Sequence, residues 1–391
     1  MTRPDETPDA ELLLMVAGAK GAIGTTVALA LAELLRNPDN VLTGLTTTAR
    51  FSGFGVPETM HMVGWDSDPV PLVQAIRRHG VIPESQWQPH AEALANIELR
   101  PAPSQDTTLA DQVDAIRHDM QTLLGRHSGV QPVMVNLLPA ACDFGQAHRL
   151  ESLEDLTRLE SSAVPDLSYA LAALQEGIPI VNFSPNTIEL PLICREAESR
   201  NVPLAGRDGK TGQTYLKVVL ASALKARSLH VDGWYSLNIL GNADGKNLMD
   251  PDRACGKLQN KTNLLDEILG YGVGASYGET SHKVHIDYYP PRGDAKEAWD
   301  VIDFKGIFGL PMSLRLNWQG RDSILAAPMV IDLARWAAAL KIADLGGPCP
   351  ELGFYFKKAV GHQPPLTFQD QLTALDRLEK RIAERVVGSR D

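Results

Sequence analysis

The chain has 391 residues, 44% of them hydrophobic and 22% charged, with a formal net charge of −11. Its length exceeds the usual single core, so two intimately packed domains are expected. The acidic balance excludes general affinity for nucleic acid or an anionic membrane surface, and any anionic ligand needs a local cluster of positive charge. The cysteines Cys142, Cys194, Cys255 and Cys349 stand far apart without metal-ligand spacing. They read as reduced thiols of a cytoplasmic protein. The run Leu12–Ala17 is too short for a signal core, and no stretch of about 18 apolar residues offers itself as a membrane span.

In chain order, Leu12–Ala17 reads as a buried strand, Gly18–Gly24 as a turn and Thr25–Leu35 as an apolar helix. This order opens a dinucleotide-binding unit, so an α/β fold with a doubly wound, Rossmann-type domain is expected. Val41–Leu45 reads as the next strand, and the stretch from Pro57 to Ser128 as irregular insertions. Buried strands follow at Val133–Leu138 and Ile178–Phe183, with a helix at Tyr169–Leu174 between them. After Gly206 the texture changes. A helix at Tyr215–Ala226 precedes strands at Trp234–Leu240, Lys283–Tyr289, Val301–Phe308 and Met312–Trp318, whose spacing predicts a mixed sheet in an α+β domain. Helices at Met329–Ile342 and Gln369–Val387 close the chain. The expected division is residues 1–205 with 325–391 for dinucleotide binding, and 206–324 for catalysis and oligomerisation.

Lysine is distributed unevenly. None occurs from Gly21 to Gly209, whereas nine lie between Lys210 and Lys305. Ammonium groups suit phosphate or a developing oxyanion, so the second half is where anionic chemistry is expected.

Gly18, Gly21 and Gly24 form a GxxGxxG turn that permits close backbone approach to a pyrophosphate. Val41–Leu45 lacks a terminal acidic residue for a ribose, which leaves Asp66 as the candidate. The loop Asp208-Gly-Lys-Thr-Gly-Gln-Thr214 opens a helix. The first glycine of a triphosphate-binding loop would fall at Leu204, so that motif fails. What remains is a helix N-terminus suited to one phosphate. Leu240–Leu248 fails as a calcium loop because Pro251 stands where a bidentate Glu belongs. Lys257 and Lys261 are one helical turn apart on a face shared with Leu264, Leu265 and Ile268. On the strand from Lys283, residues Lys283, His285 and Asp287 share one face and Val284, Ile286 and Tyr288 the other. The polar face either meets solvent or lines a site.

Together these segments resemble the myo-inositol-1-phosphate synthase family. The resemblance is carried by Asp208–Thr214, Gly241–Leu248, the Lys257/Lys261 pair, Lys283–Tyr288, Gly293–Asp300, Asp322–Met329 and Phe354–Lys357. It implies NAD as cofactor and a hexose 6-phosphate as substrate. In the implied reaction C5 of glucose 6-phosphate is oxidised, C6 loses a proton, the enolate closes on C1, and C5 is reduced again. By the same resemblance Lys257, Lys261, Lys283 and Lys357 surround the substrate, Lys283 at the developing oxyanion, with Asp208 and Asp300 positioning them. Thr211, Gly212, Gln213 and Thr214 hold the phosphate. Gly18, Gly21, Gly24, Asp66, Asn136 and Asp244 belong to the NAD side, no metal is assigned, and a homotetramer is implied. Two alternatives stay open: a relative that cyclises another sugar phosphate, such as fructose 6-phosphate, and a simple NAD-dependent dehydrogenase or non-catalytic binding protein.

Overall fold

The computed structural model describes residues 11–37, 43–48, 50–51, 59–127, 129–141, 150, 152–159, 166–242, 245–246, 249 and 264–388. Asp244, Lys257 and Lys261 lie outside the described residues.

Strand β1 (Leu12–Ala17) is buried along its whole length. Leu12, Leu14 and Val16 face one apolar cluster, Leu13, Met15 and Ala17 another. A strand covered on both faces has no reason to alternate, which is why this one reads as a continuous apolar run. Beside it lie β2 (Met60–Asp66), β3 (Leu99–Pro101), β4 (Gln131–Asn136), β5 (Ile180–Asn182), β6 (Pro203–Gly206) and β11 (Gly347–Pro348). They form a seven-stranded parallel sheet in the order β11-β6-β5-β4-β1-β2-β3. The order 3-2-1-4-5-6 is that of a doubly wound, Rossmann-like sheet, whose direction of winding reverses between β1 and β4. Helices α1 (Ala22–Arg36), α2 (Leu72–His79) and α7 (Asp322–Ile342) cover one face; α3 (Leu109–Arg126), α4 (Leu167–Gln175) and α5 (Pro191–Ser199) cover the other.

Two expectations are corrected here. Val41–Leu45 does not supply the second strand: Thr43 and Gly44 form a turn, and the strand beside β1 is Met60–Asp66. Within the stretch read as insertions, Met60–Asp66 and Leu99–Pro101 are accordingly strands of the sheet. Gly64 and a three-residue β3 hide its periodicity from the sequence.

Helix α7 is long and apolar enough to cross a membrane, but 78% of its apolar window is buried inside the protein. Its interior position is fixed in part by Asp332, whose carboxylate accepts from Thr46 N and Oγ1 at 2.8 and 2.7 Å, and from Thr47 N and Oγ1 at 3.0 and 2.6 Å.

A second sheet, β10-β9-β7-β8, contains β7 (His230–Leu240), β8 (His282–Tyr288), β9 (Ala295–Lys305) and β10 (Pro311–Arg321). β7 pairs with β8 in parallel and with β9 antiparallel, and β9 with β10 antiparallel, so the sheet is mixed. Helix α6 (Gln213–Ala226) packs on its covered face through Val218 and Ala221 against Val231, Trp234 and Ile302. The chain then returns to the first sheet through α7 and β11, and ends in α8 (Phe368–Gly388).

Asp332→Ala should lower unfolding free energy by about 2–4 kcal/mol, because it leaves the N–H and hydroxyl of buried Thr47 without their acceptor and frees Thr46 beside it. Denaturant unfolding checks this; a loss below about 0.5 kcal/mol would show that water replaces the carboxylate.

Candidate functional site

A cleft of about 810 Å³ opens where the winding reverses, at the C-terminal ends of β1 and β4, and extends over the second sheet. Open α/β sheets hold their ligands at such a point. The glycine turn after β1 forms one wall through Gly18, Gly21 and Gly24. Gly18 has φ +81, and a Cβ on Gly24 would fall 2.5 Å from the Ala19 carbonyl oxygen, so the turn requires glycine at both. The N-cap of α1, Gly21, makes no side-chain cap and the first turn holds no acid. Its N–H groups are therefore available to an anion.

Asp66, the last residue of β2, also lines the cleft and braces the turn. Its Oδ2 accepts from Lys20 N at 2.7 Å and its Oδ1 from Asp68 N at 2.9 Å. An acid at the end of the second strand is where a ribose diol is held in this fold. The turn, the uncapped helix and the acidic strand end thus fit a dinucleotide. Asn136 does not line the cleft. At 2% exposure it donates to Asp166 Oδ2 (2.6 Å) and Asn182 Oδ1 (3.0 Å) and accepts from Leu138 N (3.1 Å), so it shapes the loop after β4 from below.

The opposite wall is the loop from Asp208 to Thr214; Asp208, Thr211, Gly212, Gln213 and Thr214 all line the cleft. Gly212 caps α6 without a side-chain bond, and again the first turn is free of acid. A Cβ on Gly212 would lie 2.4 Å from the Trp318 ring, so glycine lets β10 close over the loop. The segment 355–360 runs antiparallel to this loop: Lys357 N donates to Asp208 O (2.8 Å), Lys210 N to Tyr355 O (2.8 Å) and Val360 N to Gly206 O (2.9 Å). That pairing brings Lys357 into the cleft with Nζ 2.6 Å from Asp208 Oδ1. Asp208 Oδ2 is buried without a partner among the described residues.

A second ammonium–carboxylate set faces it. Lys296 on β9 lies 3.3 Å from Asp322 Oδ2, and Asp322 Oδ1 accepts from Thr211 Oγ1 at 3.1 Å. Asp294 accepts from Ser323 Oγ at 3.1 Å, and burial, with the charge of Asp322 adding to it, raises its pKa. All four of Lys296, Asp294, Asp322 and Ser323 line the cleft. None was singled out from the sequence, although Lys296 and Asp294 stand inside the quoted stretch Gly293–Asp300. Strand parity was the available signal: Lys296 shares its side of β9 with Ala298, Asp300 and Ile302, all buried.

The same parity corrects Lys283. It is exposed, as are His285 and Asp287, whereas Ile286 lines the cleft, so the polar face of β8 turns outward. Asp300 is inside but not on the cleft. At 2% exposure it accepts from Gln213 Nε2 (2.9 Å), Trp234 Nε1 (2.8 Å) and Ser236 Oγ (2.5 Å).

Fold and site together define a Rossmann-like protein whose dinucleotide turn shares a cleft with an anion-ready helix and paired lysines. The family model for myo-inositol-1-phosphate synthase matches residues 212–323. Inositol-3-phosphate synthase 1 of Bacteroides thetaiotaomicron is 40% identical over 58% of this chain and 53% of its own length. The inositol-3-phosphate synthase of Caenorhabditis elegans superposes with a TM-score of 0.82 at 21% identity, covering 95% of this chain and 86% of that one. A myo-inositol-1-phosphate synthase-related protein from Thermotoga maritima gives 0.75 at 20% identity over 95% and 98%. The chain belongs to the myo-inositol-1-phosphate synthase family, and it spans about half the length of the curated relatives it matches.

Lys210 points away from the cleft, its Nζ bonded to Gly353 O (3.0 Å) and Gln371 Oε1 (2.8 Å). Burial lowers its pKa from 10.5 to about 7. Between those values the unfolded chain carries a proton that the folded chain does not, so this group makes stability rise with pH over that window. The stability of the native chain relative to Lys210→Met should therefore increase from pH 7 towards pH 10. A flat difference in denaturant midpoints over that range would show that Lys210 keeps its charge.

Proposed function

We propose that the chain catalyses the NAD-dependent, redox-neutral cyclisation of glucose 6-phosphate to 1L-myo-inositol 1-phosphate. The observation that carries this reading is the convergence of two ammonium–carboxylate pairs, Lys357–Asp208 and Lys296–Asp322, on a helix N-terminus inside the cleft of the dinucleotide turn. NAD held against Gly18, Gly21, Gly24 and Asp66 supplies the hydride acceptor and donor that such a reaction needs. The N–H groups at the start of α6 and the hydroxyls of Thr211 and Thr214 receive the substrate phosphate. Carboxylates at 2.6 and 3.3 Å hold Lys357 and Lys296 in place at the cleft. A preorganised ammonium at a developing enolate oxygen lowers its energy where water would need to reorganise. Asp294, whose proton is held more firmly by burial, is suited to hold or pass a proton at the same wall. Lys257, Lys261 and Asp244 complete the proposed site on the family resemblance.

The reading assigns residues 1–205 with 325–391 to cofactor binding and 206–324 to catalysis and assembly. It includes a homotetramer, supported by the open face of the second sheet, where Tyr235 and Trp299 are exposed.

Purified protein given NAD and glucose 6-phosphate should yield a cyclic polyol phosphate, identified by NMR, with no accumulation of NADH. Stoichiometric NADH release would instead mark a dehydrogenase, and turnover of fructose 6-phosphate alone a relative with the same chemistry on another sugar.

Lys296→Ala should cut turnover by about 10²-fold or more, the scale of one preorganised donor. Lys283→Ala should stay within about threefold, since exposed substitutions away from a site change little. A reversed ranking in steady-state rates would return the oxyanion role to the outer face of β8.

A further inference from the structure

Gln213 has two polar ends, and its surroundings decide which one meets the ligand. The side chain is 4% exposed yet lines the cleft. Its Nε2 donates to Asp300 Oδ2 at 2.9 Å, and no donor among the described residues reaches its Oε1. An ionised carboxylate can only accept hydrogen bonds, so the amide NH2 must face Asp300 and the carbonyl is left for the cleft. The orientation is held further down. Asp300 Oδ1 is taken by Trp234 Nε1 and Ser236 Oγ. Lys217, one turn along α6 from Gln213, lies with Nζ 2.9 Å from His282 Nε2 and 5.9 Å from the centroid of the Trp234 ring. Burial pulls the Lys217 pKa down to about 8 although the charge of Asp300 pushes it up.

A carbonyl oxygen repels a phosphate oxyanion and accepts from a hydroxyl. We propose that the Gln213 side chain is a hydroxyl reader for the carbon chain of the sugar, and that Asp300 is the positioning residue that fixes its polarity, backed by Lys217 and His282. This rests on the sugar-phosphate reading above and divides the residue in two: the backbone N–H serves the phosphate, the side-chain carbonyl the polyol. It also gives buried Asp300 a task without contact to substrate.

Calorimetric titration of the full chain with inorganic phosphate and with glucitol 6-phosphate, which keeps the hydroxyls but lacks the carbonyl needed for ring closure, tests this. Gln213→Met should weaken glucitol 6-phosphate by about tenfold or more, the loss of one buried hydrogen bond, and leave inorganic phosphate within about twofold. Asp300→Asn supplies an amide that lets Gln213 turn round, so it should show the same selective loss. The double variant should lose no more than either single one, because both act through one contact. Thermal unfolding of each variant runs alongside; should Gln213→Met fail to fold, the selective loss in Asp300→Asn carries the test. Equal weakening of both ligands, or additive losses in the double variant, overturns the proposal. Native protein that binds neither probe overturns the sugar-phosphate reading first, and this inference with it.

Discussion

The antiparallel pairing of residues 206–210 with 355–360 is the constraint on which the cleft depends. The loop after β6 leaves the seven-stranded sheet and enters the helix that supports the second sheet, so it has no sheet of its own. Backbone bonds between Gly206, Arg207, Asp208 and Lys210 and the C-terminal segment supply the missing partners. A main-chain register is stiff, and it sets Lys357 beside Asp208 although 149 positions separate them. The side chain of Lys210 repeats the attachment beneath the loop by gripping Gly353 and Gln371. Loop, ion pair and C-terminal helix are consequently tied to one another.

Desolvation separates the lysines of the second half into two kinds. Lys210 meets only neutral acceptors, and Lys217 has a single acid near enough to oppose its burial, so both have lowered pKa values. Lys296 and Lys357 each sit directly on a carboxylate at the cleft. A buried ammonium without an anion tends to lose its proton, whereas a paired one retains it. Catalysis by fixed charge therefore suits the second kind, and anchoring suits the first. Burial alone would not have distinguished them, because all four are largely withdrawn from solvent.

Much of this was written in the chain. The uninterrupted run of β1 declares a strand covered on both faces, and the glycine turn and helix after it declare the switch point. Lysine is scarce before residue 210, and the two lysines that sit on carboxylates at the cleft, Lys296 and Lys357, both follow it. The individual lysine was harder to choose. On β8 the apolar residues Val284, Ile286 and Tyr288 are the inward set, and the polar face that attracted attention is the outward one. On β9 Lys296 shares its side with Ala298, Asp300 and Ile302, and their burial is what turns it inward. The second strand was misplaced because β2 carries histidine and glycine among its apolar residues, while Val41–Leu45 begins and ends on apolar residues. Asp300 and Asn136 were recognised as important polar positions, but sequence cannot tell a residue that touches a ligand from one that holds the residue that does.

That last distinction has a physical origin in how the two sheets meet. Gly212 admits the Trp318 ring from β10, which brings the second sheet close enough for Asp300 to reach the first residue of α6. The helix start is thereby fixed from outside by an aromatic ring and from beneath by a carboxylate. Neither group needs to enter the cleft to determine what enters. A larger residue at position 212 would separate the sheets and release Gln213, even though every residue lining the cleft remained in the chain. The selectivity of such a site resides in the packing between its two halves as much as in the groups on its surface.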